Sequence, residues 1–346
     1  ITDPEFKVSE TLTVTAGIDL SRVTEKVDVK YENVSKDQKV ILNTNGGTLE
    51  VSDANVEVKH FGTASKSTVS SKSYEEKGTI VGDTLVNGGK YIATSSEAEA
   101  GTVLVSSKDV ELNISASAKV GTVAGTTDEA QAAIKSNTNI PSDKKLDSDT
   151  AVEPTTDFAG GLGTENSPYI ISTVKDFKNI DKYARKGSYF YKQTNDLNVT
   201  SNQISIFQGT YDGANFKLSY LLDEGDYATI FNELNGSSNF ININVYMGKT
   251  AVSLLSVSNW KTAYDVLFDN ITFNSTENLV SANANNFGFV TINALYTSGG
   301  EATYTFSNIT NNVNLQNEGT CTGILVGSGP CYNSKTTVNV KNIVNN

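Results

Sequence analysis

The sequence predicts an all-β protein whose strands stack on one another in repeated turns. Three observations lead to this prediction. Apolar and polar residues alternate over long stretches, which is the period of a strand with one buried face. Glycine–threonine pairs recur along the first half of the chain, and Asn-Ile phrases recur near the C-terminus. Units that recur in this way cannot bury an apolar face alone, so they must stack on their neighbours.

Composition limits the partners and the chemistry of this 346-residue chain. The net charge of −12 argues against nucleic acid and anionic membrane as partners. No apolar run reaches the length of about 18 residues that a membrane-spanning helix needs, so we expect no membrane insertion. The chain contains one His and only two Arg, Arg22 and Arg185, so the residues that catalysis usually recruits are scarce. We expect a monomer without a cofactor.

The chain changes its composition near the middle, which predicts two parts joined by a linker. Residues 1–150 hold 8 Asn and 5 aromatic residues, whereas residues 151–346 hold 29 and 25. Between them, residues 136–158 are rich in Ser, Thr, Asp and Lys and show no apolar period. We therefore predict a β-rich part over 1–135, a linker over 136–158 and a second β part over 159–346. The segment "DEAQAAIKS", residues 128–136, is predicted to form a short helix that closes the first part.

The first part consists of alternating runs separated by turns. Runs such as "TLTVTAG", "KVDVKYENV" and "DVELNISASAKVGTVAG" have the period of half-buried strands. The recurring glycine–threonine pairs begin at Gly47, Gly62, Gly78, Gly101 and Gly121. A loosely repeated turn at this spacing favours a stacked solenoid of strands. A β-sandwich also fits roughly the first 45 residues.

The second part opens with a predicted amphipathic helix. Thr173 followed by Asp176 is close to a capping box, and Gly187 is predicted to close the helix as a C-cap glycine. Apolar residues follow the cap at helical spacing: Val174, Phe177, Ile180 and Ala184. After a strand, "YFYKQTNDLNV", the remaining sequence is predicted to contain only strands and turns.

A recurring phrase marks the strands of the second part. "LFDNITFNST", "TFSNITNNVN" and "TVNVKNIVNN" align on Asn270, Asn308 and Asn342, and "FININVYMG" is a related phrase. Asn at equivalent positions of stacked strands can form side-chain ladders or occupy tight corners. Upstream, Asp212 and Gly213 lie between two alternating runs in "IFQGTYDGANFKLSYLL". We interpret this pair as a turn that needs a positive φ, not as a metal or catalytic site.

These residues carry a resemblance to a known family. "GTENSPYIIST" before the helix, then "FQGTYDGANFKLSYLL" and "TIFNELNGSSNFININVYMG", resemble the start of a right-handed parallel β-helix in bacterial surface proteins, some with GLUG-type repeats. The resemblance covers residues 161–346 and implies that the helix caps the open end of the β-helix. Residues 56–105 resemble a stacked-β segment of large exported proteins from Gram-positive bacteria. The last repeat phrase has no capping element after it, so we expect the β-helix to be truncated there.

The resemblance implies a location outside the cell, at the bacterial surface. We expect a non-enzymatic adhesin or stalk that binds a host or extracellular glycan or protein through a face of the β-helix. The alternatives are a polysaccharide-processing module, either a lyase or a glycosidase, and a purely structural spacer. Catalysis would need a base or paired carboxylates, and both Arg residues fall outside the repeats.

The predicted contact residues are aromatic, because exposed aromatic rings stack on sugars and anchor interfaces. They are Trp260, Tyr264, Tyr211 and Tyr220. His60 alone cannot build a zinc site, and no nucleophile is assigned to it. Ca²⁺ could be bound through the oxygens of "NDLN" (195–198) or "LDEGD" (222–226), although polar turns explain both segments as well. Cys321 and Cys331 fit either a disulfide or two free thiols.

Overall fold

The computed structural model describes residues 11–32, 37–199, 204–222, 225, 227–257, 264–293, 301–319, 321–328 and 335–346. The chain divides into two compact units, one ending at Pro168 and one beginning at Tyr169. Strands dominate both units, and the paired strands run parallel, so the all-β prediction is confirmed. Within the described ranges, no helix combines the length and the apolar character needed to cross a bilayer.

The first unit contains a ten-stranded sheet within its described residues. Its elements are β1 (Leu12–Val14), β2 (Ile18–Asp19), β3 (Val29–Tyr31), β4 (Gln38–Asn45), β5 (Leu49–Ala64), β6 (Ser67–Glu76), β7 (Thr79–Ala93), β8 (Glu99–Val105), β9 (Glu111–Ile114), β10 (Lys119–Gly125), α1 (Asp128–Ser136) and a 3₁₀ turn (Ser142–Lys144). Valines from β5, β6 and β7 form one buried column, because Val51 pairs with Val69 and Val69 pairs with Val86. Each strand therefore places its apolar side chains directly over those of the previous strand.

The glycine–threonine turns belong to two columns of glycines rather than to one repeated corner. Gly78 lies over Gly62, and a Cβ on Gly78 would come within 2.3 Å of the Gly62 carbonyl oxygen. Gly121 lies over Gly101 in the other column, again with 2.3 Å between an added Cβ and the carbonyl below. Both corners bring the backbones of neighbouring strands so close that no side chain fits. Gly62, Gly101 and Gly121 lie inside β5, β8 and β10, so these pairs mark close backbone approach rather than the ends of strands, and the single repeated turn predicted from the sequence is wrong.

The helix predicted over residues 128–136 is confirmed as α1, with the Thr127 side chain accepting a hydrogen bond from the Ala130 N–H. The segment 136–158, predicted as a linker, lies against the first unit. The Leu146 N–H donates to the Val123 carbonyl of β10 at 3.0 Å, and the Val152 N–H donates to the Gly125 carbonyl at 2.9 Å. These bonds continue the pattern in which a later segment pairs with the strand before it.

The second unit contains the longest strand of the described residues, with 20 residues. Its elements are β11 (Tyr169–Ile171), α2 (Val174–Ala184), β12 (Tyr189–Gln193), β13 (Leu197–Asn198), β14 (Ile204–Asp212), β15 (Lys217–Tyr220), β16 (Ala228–Met247), β17 (Val252–Val257), β18 (Val266–Ser275), β19 (Val280–Ala282), β20 (Asn286–Gly288), β21 (Thr291–Asn293), β22 (Glu301–Asn311), β23 (Leu315–Asn317), β24 (Cys321–Gly323), β25 (Val326–Ser328) and β26 (Lys335–Asn345). The strands β12, β14, β16, β18, β22 and β26 pair in that order, each parallel to the next.

A column of aromatic rings fills the core of this unit. Tyr211 pairs with Phe240, which pairs with Phe268, which pairs with Phe306. The rings of Phe240 and Phe268 have centroids 5.3 Å apart and planes 8° apart, and those of Phe268 and Phe306 lie 5.2 Å apart at 10°. All four side chains are fully buried. Stacked rings at strand spacing are favourable beyond the area they bury.

The predicted asparagine ladder is confirmed, and Asn242 joins it as a further member. Asn242, Asn270, Asn308 and Asn342 all have a φ of 54°. The Asn270 amide donates to Asn242 Oδ1 at 2.8 Å, and the Asn342 amide donates to Asn308 Oδ1 at 2.9 Å. Among residues with a Cβ, Asn adopts this left-handed conformation most readily. Each Asn therefore turns the backbone and links its strand to the neighbouring one.

The helix α2 has the capping box that the sequence predicts, formed by Thr173 and Asp176. Phe177 packs its ring against Tyr211 at 5.8 Å and against Phe231 at 6.0 Å, so the helix contributes to the aromatic core. The predicted role of Gly187 is wrong. The helix ends at Ala184, and a tight turn closes it because Lys186 and Gly187 both donate to the Tyr183 carbonyl, without a left-handed glycine.

Asp212 is a turn residue, but the positive φ angles lie beyond the Asp-Gly pair. They occur at Ala214 (47°) and Asn215 (62°). Asp212 Oδ1 accepts a hydrogen bond from the Ala214 N–H at 2.8 Å, which holds this turn. Gly213 is needed for close approach instead, because a Cβ there would lie 2.6 Å from the Asn242 carbonyl oxygen. The prediction of a turn holds for Asp212, whereas the reason assigned to Gly213 is wrong.

The ladder makes the first testable prediction. Replacing Asn270 by Ala removes its amide hydrogen bonds and forces a less tolerant residue to keep φ at 54°, so we expect the free energy of unfolding to fall by roughly 2 kcal/mol. Asn270→Gly loses the same bonds without the conformational cost, and about 1 kcal/mol is expected. Urea denaturation followed by circular dichroism measures both. Equal losses in the two variants would contradict a contribution from the backbone angle.

A buried carboxyl in the first unit makes the second prediction. Asp83 accepts a hydrogen bond from the Gly161 N–H at 2.8 Å, and burial raises its pKa above the ordinary value of 3.8. A raised pKa in the folded state means that ionisation costs stability, and this cost vanishes as the pH falls below the unfolded-state pKa. Asp83→Asn keeps the acceptor oxygen and removes the charge. We expect a higher urea midpoint than wild type at neutral pH and an equal one near pH 3.

The matched control for this prediction is Asp143→Asn, which makes the same change at an exposed position. It should leave the midpoint unchanged at both pH values. A stability difference for Asp83→Asn that persists at low pH would show that the effect comes from packing rather than from the charge.

Candidate functional site

The second unit carries a groove of about 560 Å³ on the outer side of its parallel strands. It is lined by Ser188, Phe190, Gly209, Thr210, Ser237, Asn239, Asp265, Val266, Leu267, Thr303 and Thr305. Hydroxyl and amide groups predominate in this lining, and two apolar side chains, Phe190 and Leu267, are half-buried within it. Asp265 is the one charged residue among the described residues of the lining.

The centre of the groove is a single row of residues, which we call the groove row. Register places one member on each of β12, β14, β16, β18 and β22, in the order Phe190, Thr210, Asn239, Leu267 and Thr305. Parallel strands lie about 4.8 Å apart, so the four intervals between these five strands span roughly 19 Å. Two neighbours in the row are hydrogen-bonded, because the Asn239 amide donates to Thr210 Oγ1 at 3.0 Å.

A second row forms one side of the groove. The Asp265 N–H donates to Ser237 Oγ at 3.2 Å, and the Thr303 N–H donates to Asp265 Oδ1 at 2.7 Å. These two bonds link Ser237 of β16, Asp265 directly before β18 and Thr303 of β22. They hold the Asp265 carboxylate at the side of the groove, and Asp265 is exposed to solvent.

The concave shape has a cause in the register of β14 and β16. Phe207 pairs with Leu234 but Gly209 pairs with Ser238, so residues 235–237 lie opposite Gln208 alone. Such an irregularity bends the strand that carries the extra residues. Gly209 sits at the bend with a φ of 110°, where a Cβ would come within 2.1 Å of the Tyr189 carbonyl oxygen. A side chain at residue 209 would therefore disrupt the groove floor.

The structure places the predicted contact residues differently. Tyr211 and Tyr220 are 0 % and 3 % exposed, and burial raises the pKa of both hydroxyls. Their rings present no face to an outside ligand, which removes both from the set of contact residues. Tyr264 is half-buried directly before Asp265. Trp260 lies outside the described residues, as do Cys331 and the side chain of Cys321.

The sequence reasoning missed the groove row although a signal for it exists. Each member immediately precedes a buried core residue: Phe190 before Tyr191, Thr210 before Tyr211, Asn239 before Phe240, Leu267 before Phe268 and Thr305 before Phe306. In a strand, successive side chains point to opposite faces. The residue before each core aromatic therefore had to face outward, but this follows only once the aromatic is known to be buried.

The segments considered for Ca²⁺ are occupied by other contacts where they are described. Asp196 Oδ1 accepts a hydrogen bond from the Lys217 N–H at 2.9 Å, and the Asn195 amide donates to the Ser172 carbonyl at 3.0 Å. Part of "LDEGD" lies outside the described residues. Within the described part of the chain, no three His, Cys, Asp or Glu side chains converge in a way that could hold a metal ion.

A hydroxyl, an imidazole and a carboxylate lie in line in the first unit. His60 Nε2 is 2.7 Å from Thr44 Oγ1, and His60 Nδ1 is 2.7 Å from Glu76 Oε1. This order of groups is that of a nucleophilic triad. All three residues, however, are at most 3 % exposed, and the Thr44 hydroxyl donates to the Thr63 carbonyl at 2.8 Å. No substrate reaches the hydroxyl, so we interpret the three residues as a polar network inside the core.

The network extends beyond these three residues. The Tyr74 hydroxyl donates to Glu76 Oε2 at 3.1 Å, and the Gly78 N–H donates to Glu76 Oε1 at 2.7 Å. Burial and the nearby Glu76 carboxylate raise the pKa of Tyr74 well above its ordinary value, so this hydroxyl keeps its proton. Both oxygens of the buried carboxylate are therefore satisfied, as a buried charge requires.

Comparison with known proteins does not indicate what the groove binds. No family model matches this chain. No curated protein and no solved structure gives a match either.

The buried network makes the third prediction. His60→Leu leaves the Glu76 carboxylate buried without its imidazole partner, and we expect the free energy of unfolding to fall by about 3–5 kcal/mol. His60→Leu/Glu76→Leu removes the charge as well, so the double variant should lose less than the sum of the two single variants. Urea denaturation of the four proteins measures the coupling.

The control is an ion pair on the surface. Lys39 and Glu57 lie 3.2 Å apart with the Lys39 side chain 82 % exposed, so Lys39→Leu should hardly move the urea midpoint. Additive losses in the His60 and Glu76 variants would contradict a coupled network.

Proposed function

We propose that this chain is a non-enzymatic adhesin or stalk segment of an exported bacterial surface protein, and that it binds an extracellular glycan along the groove row. The observation that carries the proposal is the row itself. Two apolar side chains, Phe190 and Leu267, and three polar ones, Thr210, Asn239 and Thr305, follow one another at strand spacing over roughly 19 Å. A row that combines apolar and polar side chains suits a sugar chain, which offers apolar faces and hydroxyl edges.

We propose that both units are right-handed parallel β-helices, and that the second resembles the GLUG-type repeats of bacterial surface proteins. The parallel pairing of successive strands supports this, as do the buried columns of valine and phenylalanine. The hand follows from the general rule that crossovers between parallel strands are right-handed. The contacts of Phe177 with Tyr211 and Phe231 support a capping role for α2, because an uncovered terminal coil would expose its core.

The chemistry of the groove supports binding over catalysis. Hydrolysis of a glycosidic bond uses two carboxyl groups, and elimination from an acidic polysaccharide uses a base. The residues that line the groove offer one titratable side chain, Asp265, and Oδ1 of that side chain already accepts the Thr303 N–H. A polysaccharide-processing module and a purely structural spacer are the competing functions, and one experiment separates all three.

The experiment exposes the intact 346-residue chain to a glycan array and assays the same glycans for release of reducing ends. Retention without release supports the proposal. Release of reducing ends would identify a processing enzyme. A blank array would leave only the spacer function and would contradict the proposal.

A pair of variants then tests whether the groove is the binding site. Phe190→Ala removes the ring from the groove row, and roughly tenfold weaker binding to the retained glycan is expected. Phe216→Ala makes the same substitution at an exposed Phe of the second unit outside the groove, and it should bind like wild type. Circular dichroism checks that both variants are folded. Equal binding by the two variants would place the glycan elsewhere.

A further inference from the structure

The charges around the groove row indicate which class of glycan it accepts. Among the described residues that line the groove, none is Lys or Arg, and Asp265 carries a negative charge on one side of the row. An acidic glycan brings carboxylate or sulfate groups, which bind where cations or several hydrogen-bond donors meet them. Hydroxyl and amide groups of the row can instead pair with the hydroxyl groups of an uncharged sugar.

The other side of the groove row is acidic as well. The next outward-facing position lies two residues further along each strand. There, Asp212 of β14 pairs with Ile241 of β16, and Ile241 pairs with Asp269 of β18. Asp212 accepts a hydrogen bond from the Asn242 amide at 3.0 Å, and Asp269 accepts one from the Asn308 amide at 2.8 Å. Both carboxylates are thus held in place by neutral amide donors. Three carboxylates therefore flank the middle of the groove row.

The lysines in the same flanking row are Lys192 of β12 and Lys341 of β26. Lys192 pairs with Asp212 in the register, so this lysine at the β12 end of the groove row lies beside a carboxylate. In physiological salt the electrostatic screening length is about 8 Å, which exceeds the separation of about 7 Å between positions two residues apart along a strand. A negative charge in the row would therefore feel the carboxylates on both sides.

We infer that the groove row selects linear, uncharged glycans and rejects acidic ones through the carboxylates of Asp212, Asp265 and Asp269. This inference rests on the proposed glycan binding and specifies its ligand class. The selection works by repulsion from both flanks, while the row itself supplies contacts that fit any sugar chain with free hydroxyl groups.

The test uses the intact chain and an array that carries neutral oligosaccharides (cellohexaose, xylohexaose, chitohexaose) beside acidic ones (hexagalacturonate, a hyaluronan hexasaccharide). We expect the neutral class to be retained at least roughly tenfold more tightly at physiological salt. An acidic oligosaccharide that binds best, and whose binding Phe190→Ala removes, would overturn the charge selection but leave the proposed function standing. Retention of no oligosaccharide would overturn both.

Variants that neutralise the carboxylates test their role directly. Asp265→Asn/Asp269→Asn keeps the acceptor oxygens of both side chains and removes two charges, so hexagalacturonate should bind about tenfold more tightly than to wild type. Glu277→Gln/Glu318→Gln removes two exposed charges of the same unit away from the groove, and it should not change the affinity for hexagalacturonate. The same gain in both double variants would show that overall charge, not the groove flanks, controls selection.

Discussion

Register is the constraint on which the second unit depends. In parallel stacking every side chain lies over its counterpart in the next strand, about 4.8 Å away, so each position must tolerate copies of itself or of a compatible residue. Asn270 turns the backbone at the corner, Phe268 fills the core two residues earlier, and Leu267 faces the groove just before it. One alignment of strands thus fixes the corner, the core and the outer surface together. A shift of the register by one residue would turn Phe268 to the groove and Leu267 to the core.

The parts of this structure that the sequence predicts are those with local or regular signals. The helices α1 and α2 follow from caps and apolar spacing within a few residues, and the asparagine ladder follows from an unmistakable phrase. The aromatic residues were harder to place, because alternation identifies two faces of a strand without saying which is buried. For this reason the sequence predicts Tyr211 and Tyr220 as surface contacts, and it does not reveal the groove row beside the core aromatics.

The Asn phrases are recognisable although their spacing varies. Asn242, Asn270 and Asn308 are 28 and 38 residues apart, so the shared phrase relates them and a fixed period does not. In the first unit even a regular spacing does not give the register. Thr44, His60 and Glu76 follow one another at intervals of 16 residues. His60 pairs with Glu76 in the register, but its partner in β4 is Leu42 and not Thr44, so the contact of Thr44 with His60 follows only once the strand pairing is known.

The two units join neighbouring strands by different surface chemistry. In the first unit, ion pairs such as Lys59–Glu75 and Lys39–Glu57, both at 3.2 Å, connect adjacent strands. In the second, amide ladders such as Asn312–Asn274 and Asn346–Asn312 do so. Salt screens exposed ion pairs, and acid neutralises their carboxylates, whereas a hydrogen bond between two amides responds to neither. The links from Asn242 to Asp212 and from Asn308 to Asp269 include a carboxylate, so acid acts on these two as well.

The identity of residue 212 also sets the orientation of the two ladder amides next to it, those of Asn242 and Asn270. An ionised carboxylate can only accept hydrogen bonds, so Asn242 must turn its amide nitrogen toward Asp212. Its oxygen then faces the other way and accepts from Asn270, whose own orientation is decided in turn. The amide dipoles consequently point the same way, with their positive ends toward the negative charge, as helix dipoles do toward an N-terminal carboxylate. An uncharged Asn at residue 212 could present either end of its amide, and the direction of the chain of dipoles would no longer be determined.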